Sequence, residues 1–158
     1  MKRIDIFLQE KLQLNNNSKV KEYNYHPKNK EELITLIDKL IDERGENADL
    51  NDIDVSNITD MSKLFYDIEN TIREIDISKW DVSNVTNMKE MFFSCPRFNC
   101  NISSWDVSKV EDMKQMFDGC NNFNCNLDNW KVSKDTNILY MFTACLNLKK
   151  IPDWYKNR

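Results

Sequence analysis

The sequence predicts an α/β fold: a short right-handed solenoid of about four strand–helix rungs, sealed at its N-terminal end by a helix. Three observations predict it. The stretch from Trp80 to Phe92, Trp-Asp-Val-Ser-Asn-Val-Thr-Asn-Met-Lys-Glu-Met-Phe, returns 25 residues later from Trp105 to Phe117. Trp130-Lys131-Val132-Ser133 and Met141-Phe142 carry a third copy after another 25, and Ile53 to Phe65 an earlier one. A fixed period of this length marks units that must stack to bury their apolar faces. Within one unit, Ile75 and Ile77 alternate about Asp76, as in a short strand. Val85, Met88, Met91 and Phe92 then fall at i, i+3, i+6 and i+7, which predicts a short helix.

Taken in order, residues 1–14 place Ile4, Phe7, Leu8 and Leu12 at helical spacing, and Asn15 to Ser18 reads as a turn. Val20 to Tyr25 is an extended segment ended by Pro27. Asn29 then offers a helix cap, with Glu32 three residues on as in a capping box. Leu33, Ile34, Leu36, Ile37, Leu40 and Ile41 form a wide apolar stripe, and Gly45 suits the left-handed position that ends a helix. The expected domain plan is a helical cap over 1–45 and a repeat solenoid with its C-terminal cap over 46–158, in one continuous domain. The last rung is irregular, because Asp135 stands where Val85 and Val110 stood.

Composition narrows the function. The chain is 30% charged with a net charge of −4, which disfavours binding bare nucleic acid through a global field. No apolar run approaches the ~20 residues of a membrane span, and Met1 to Lys11 lacks a leader's apolar core, so the expected location is the cytoplasm, or the cell surface if a leader was removed. Cys95, Cys120 and Cys145 recur every 25 residues, as do Cys100 and Cys125. No Cys-x-x-Cys pair exists for zinc, so the columns read as buried thiols. A serine recurs in every rung (Ser56, Ser83, Ser108, Ser133), which suits a bend and not a nucleophile. His26 is the single histidine, which removes most Ser-His, Cys-His and His-metal designs. Asp54, Asp81 and Asp106 form a column broken by Lys131, and bend-capping is their expected duty. No catalytic residue, cofactor or metal site is expected.

The sentence Asp-Val-Ser-Asn-Val-Thr-Asn-Met, closing on Met-Phe, resembles the 25-residue repeat of bacterial BspA-like leucine-rich-repeat surface proteins and mycoplasma-type lipoproteins. The lead-in from Tyr25 to Leu33 looks like the N-terminal cap of those repeats. The resemblance covers about residues 23–155. It implies a leucine-rich-repeat-like solenoid used for binding. Family members are often exported and often longer arrays.

The leading expectation is a non-enzymatic protein–protein interaction module. Outward strand positions give Glu74, Asp76, Asn99, Asn101, Asn124 and Asn126 as its binding face. Asp67 and Glu69 join Glu74 in an acidic cluster outside the recurring motif, suited to a protein partner with a basic surface. Residues 131–158 are basic in turn, with Lys131, Lys134, Lys149, Lys150, Lys156 and Arg158 against Asp135 and Asp153. The alternatives are a small intracellular inhibitor, such as a phage-encoded anti-CRISPR that blocks a nuclease, or a fragment of an exported adhesin. Oligomeric state is left open.

Overall fold

The computed structural model describes residues 22–66 and 75–158. The helix expected at 1–14 and the turn at 15–18 fall outside them. Helix α1 spans Lys30–Arg44. Asn29 caps it, its side-chain oxygen accepting the Glu32 N–H at 2.9 Å. The Glu32 carboxylate reaches back to the Lys28 N–H, one residue before the position a capping box uses. Gly45, at φ +82°, donates its N–H to the Ile41 carbonyl and ends the helix. Leu33, Ile37 and Leu40 are buried in the same core cluster as Leu50 and Ile53. Ahead of α1, Tyr25 bridges Ile53 in parallel, so the lead-in pairs with the first repeat.

The strand–helix rung does not hold. Among the described residues the only other helix is α2, Asp153–Lys156. Strand pairing is reduced to isolated parallel bridges such as Asp60–Asn87, Asn87–Asp112 and Asp112–Asn137. The expected four-rung, leucine-rich-repeat-like solenoid of strands and helices is therefore not what this chain builds. Its repeats are chains of turns. The N–H of Val85 bonds the Val82 carbonyl, Met91 bonds Met88, Cys95 bonds Phe92 and Phe98 bonds Cys95, at 2.9–3.2 Å. Both ends of each three-residue hop are buried.

A spacing of three serves such hops as well as it serves a helix. The backbone decides between them. Glu90 and Ser94 both sit at φ +55°, and Lys63, Gln115, Tyr140, Gly119 and Ala144 repeat those two positions. A left-handed residue interrupts a right-handed helix and costs an L-amino acid about 1–2 kcal/mol. It is what the third position of a type II turn requires. The strain aims an N–H at the neighbouring repeat: Lys63 bonds the Lys89 carbonyl, Glu90 bonds Lys114 and Gln115 bonds Leu139, at 2.9–3.0 Å.

Side-chain oxygens fix the corners. Asp76, Asp81 and Asn87 each accept the N–H two residues on, from Ser78, Ser83 and Lys89. Asn101, Asp106 and Asp112 do the same in the next repeat. Each of these two repeats thus has three Asx turns, which compete with helix for the backbone. The expected bend-capping duty of Asp54, Asp81 and Asp106 is met in this way. The serines take part mainly through their N–H groups; Ser56 adds its hydroxyl, 2.7 Å from Asp54.

Columns of like side chains join the repeats. Phe65, Phe92, Phe117 and Phe142 stack with centroids 5.3–5.8 Å apart. The first three rings are fully buried, each stabilising the fold by about 1.5–3 kcal/mol. The indole N–H groups of Trp80, Trp105 and Trp130 donate to Leu50, Ile77 and Ile102 carbonyls one repeat earlier. Cys95, Cys120 and Cys145 donate to the Phe65, Phe92 and Phe117 carbonyls. In the last repeat the turn slips by one residue. Thr136, not Asp135, is buried, and its N–H bonds the Ser133 carbonyl. A carboxylate in that position would be buried without a partner.

Candidate interaction surface

Asn99, Asn101, Asn124 and Asn126 come together. They line one surface cleft of about 360 Å³ with Ser103 and Cys125. All four carboxamide oxygens are already engaged. Asn99 accepts the Asn124 N–H at 2.9 Å, and Asn124 accepts the Lys149 N–H at 3.0 Å. Asn101 accepts both the N–H and the hydroxyl of Ser103, and Asn126 accepts the Asp128 N–H. A backbone N–H can only meet the oxygen of a carboxamide, so each amide's orientation is set. The four NH2 groups are then left over, with no acceptor among the described residues. The cleft therefore offers four sets of amide donors.

Asp76 stands one repeat before Asn101 and turns the same corner for Ser78. Burial alone would raise its pKa, but hydrogen bonding from Ser78 outweighs that and holds it below the usual range. Asp67, Glu69 and Glu74 lie outside the described residues. The other acids of the first repeat are committed internally. Asp52 accepts both guanidinium nitrogens of Arg44 at 2.8 and 2.9 Å, which with the Asn24 bond lowers its pKa. Asp54 faces His26 at 3.3 Å, and Asp60 faces Lys30 at 3.4 Å.

The thiols and charged clefts have structural duties too. Burial pushes the Cys100 thiol up to about 11 and the Cys145 thiol up to about 12, and raises Cys120 and Cys125 as well. Such thiols are poor nucleophiles near neutral pH. Among the described residues no group of three or more His, Cys, Asp or Glu is placed to hold a metal ion. A second cleft, of about 560 Å³, is lined by Glu22, Arg44, Asp49, Asn51, Asp52 and Lys79. Arg44 is held there by Asp52 and the Asp49 carbonyl, and the Asn51 oxygen accepts the Lys79 N–H.

Residues 35–154 match the model of a protein family described as "Mycoplasma protein of unknown function, DUF285". The chain belongs to this family. The DUF285 match agrees with the mycoplasma-type side of the resemblance seen in the repeats. The leucine-rich side finds no support in the turn-built backbone. No curated protein matches the chain. No solved structure matches it either. No helix among the described residues of this DUF285 chain is long and apolar enough to cross a membrane.

One surface feature escaped the sequence reading. Tyr66 stacks on Phe93 at 5.0 Å, with the Lys63 ammonium 4.9 Å from the Tyr66 ring centroid. The doubled aromatic positions of Phe65-Tyr66 and Phe92-Phe93 carry that signal.

Proposed function

We propose that this chain is a non-enzymatic protein-interaction module, kin to the BspA-like repeat proteins, and that the asparagine cleft is its binding face. The observation that carries the reading is the convergence of four carboxamides whose oxygens are engaged and whose NH2 groups have no acceptor among the described residues. An uncharged lining with four free amide NH2 groups suits a partner surface rich in carbonyl and carboxylate oxygens. In the 25-residue register Glu74 precedes Asn99 and Lys149 follows Asn124, so this line of positions runs from acid through amide to base. A partner with a basic patch beside Asp67, Glu69 and Glu74 completes the match. Engagement of the recurring serines, aspartates and thiols in turns and columns favours a scaffold over a catalyst.

Photo-crosslinking tests this. A benzophenone amino acid replaces Ser103 at the cleft or exposed Lys109 on a different turn, and the full chain is incubated with extract of the cells that make it. Crosslinks to one discrete protein from position 103 and none from 109 are expected. Equal crosslinking from both positions, or none from 103, overturns the cleft as the binding face.

A further inference from the structure

The asparagine cleft repeats within itself. Asn99 and Asn124 make the same bond, each oxygen accepting the backbone N–H of the equivalent residue one repeat on, Asn124 and Lys149. Asn101 and Asn126 share another, each accepting the N–H two residues on. The cleft therefore holds two pairs of carboxamides, and within a pair the NH2 groups are displaced by one repeat. The phenylalanine column measures that step at 5.6 Å from Phe92 to Phe117 and 5.8 Å from Phe117 to Phe142. Two N–H donors so placed can each bond one oxygen of a single carboxylate. Across the cleft the pairs stand two residues apart along the chain, which is about 6.5–7 Å where the backbone is extended. An extended polypeptide presents its alternate side chains at that same interval.

The charges beside the two pairs differ. Asn124 holds the Lys149 N–H at 3.0 Å, which fixes Lys149 next to the first pair. Lys149 is exposed and forms no ion pair among the described residues. Asn126 holds the Asp128 N–H, and Lys150 neutralises the Asp128 carboxylate. Asp76 turns the equivalent corner one repeat before Asn101, so a negative charge stands at the open end of the second pair. A carboxylate is thus drawn to Asn99 and Asn124 and repelled from Asn101 and Asn126. The side-chain carbonyl of a glutamine or asparagine gives the second pair its acceptor without the repulsion.

We infer that the cleft reads an extended segment of another polypeptide that carries an acidic side chain at one position and a carboxamide side chain two residues away, the acid clamped by Asn99 and Asn124. The inference rests on the cleft being the binding face and names what that face recognises.

Side-chain NH2 signals of the 15N-labelled full chain test this, titrated with the end-blocked synthetic peptide Thr-Glu-Thr-Gln-Thr. Saturable shifts of all four asparagine NH2 signals are expected. Thr-Gln-Thr-Gln-Thr should bind at least about tenfold more weakly. Asn124→Asp keeps an oxygen for the Lys149 N–H but exchanges the NH2 donor for a negative charge, and should cost the glutamate peptide at least about tenfold. Lys149→Gln, which alters only an exposed side chain, should weaken that peptide about threefold and flatten its salt dependence. Equal binding of Thr-Gln-Thr-Gln-Thr overturns the acidic position while leaving the cleft as the binding face. Free glutarate that binds as tightly as the peptide overturns the polypeptide ligand. Four NH2 signals that ignore the glutamate peptide overturn the proposal outright, and crosslinking from position 103 then decides separately whether the cleft is a binding face at all.

Discussion

Replacing Gly119 by alanine and Ala144 by glycine perturbs the same corner in two repeats, with opposite expected signs. Gly119 lies at φ +80°, and a Cβ there would sit 3.3 Å from the Ser94 Cα. The left-handed conformation costs alanine about 1–2 kcal/mol, and the lost freedom of the unfolded chain returns about 0.4–1 kcal/mol. The close contact adds to the cost, so Gly119→Ala should destabilise by about 1 kcal/mol or somewhat more. Ala144, at φ +55° and exposed, holds the strained geometry already. Ala144→Gly releases the strain and adds unfolded-chain entropy, for a net gain of about 0.5–1 kcal/mol. Urea unfolding followed by tryptophan fluorescence reads both, since Trp80, Trp105 and Trp130 are buried. In a helix interior the signs reverse: glycine costs up to about 1 kcal/mol relative to alanine. A destabilised Ala144→Gly together with a stabilised Gly119→Ala would refute the turn-built repeat.

The thiols should react slowly when folded. With Cys100 near 11 and Cys145 near 12, the thiolate fraction at pH 8 is at most about one in a thousand. A chromogenic disulfide reagent should label half-buried Cys125 first and all five cysteines only after denaturation, and rapid native labelling of Cys120 would contradict the column. Stability should also fall on acidification. Hydrogen bonds and the nearby guanidinium depress Asp52, and bonds from Ser108 depress Asp106. A depressed carboxylate stabilises the fold above its unfolded pKa of about 4, and that contribution is lost as pH falls through the lower folded value. The urea midpoint should be level from about pH 7 to 5 and drop below about pH 4. A midpoint unchanged at pH 3 would show that these carboxylates do not support the fold.

Much of this was legible in the residues. Helix α1 was, because Asn29, Glu32 and Gly45 mark its ends and Leu33, Ile37 and Leu40 its buried face. So were the columns, since a 25-residue period brings Phe92 to Phe117 and Trp105 to Trp130 whatever the local backbone. The rung's secondary structure was not. Val85, Met88 and Met91 are spaced by three, which turns and helices share. The discriminating signal was present in Asp76-x-Ser78, Asp81-x-Ser83 and Asn87-x-Lys89, where short polar side chains capture the N–H two residues on. The left-handed residues gave no warning, because Glu90, Gln115 and Tyr140 are not types that favour positive φ. The asparagine positions were legible, but the orientation of their amides follows only from the backbone donors they meet.

The asparagine cleft is tested by the effect of Asn101→Asp on partner affinity, set beside its effect on stability. The aspartate keeps an oxygen for Ser103, as Asp76 does for Ser78 one repeat earlier. Asp49 and Asp76 already stand as bridged neighbours, so the fold tolerates carboxylates in that column. Only the NH2 donor is replaced. The unfolding free energy should stay within about 0.5 kcal/mol of wild type, and binding to the crosslinked partner should weaken by about tenfold, as expected when a buried acceptor loses its donor. Wild-type affinity in a fully folded Asn101→Asp variant would contradict the asparagine cleft as the working face.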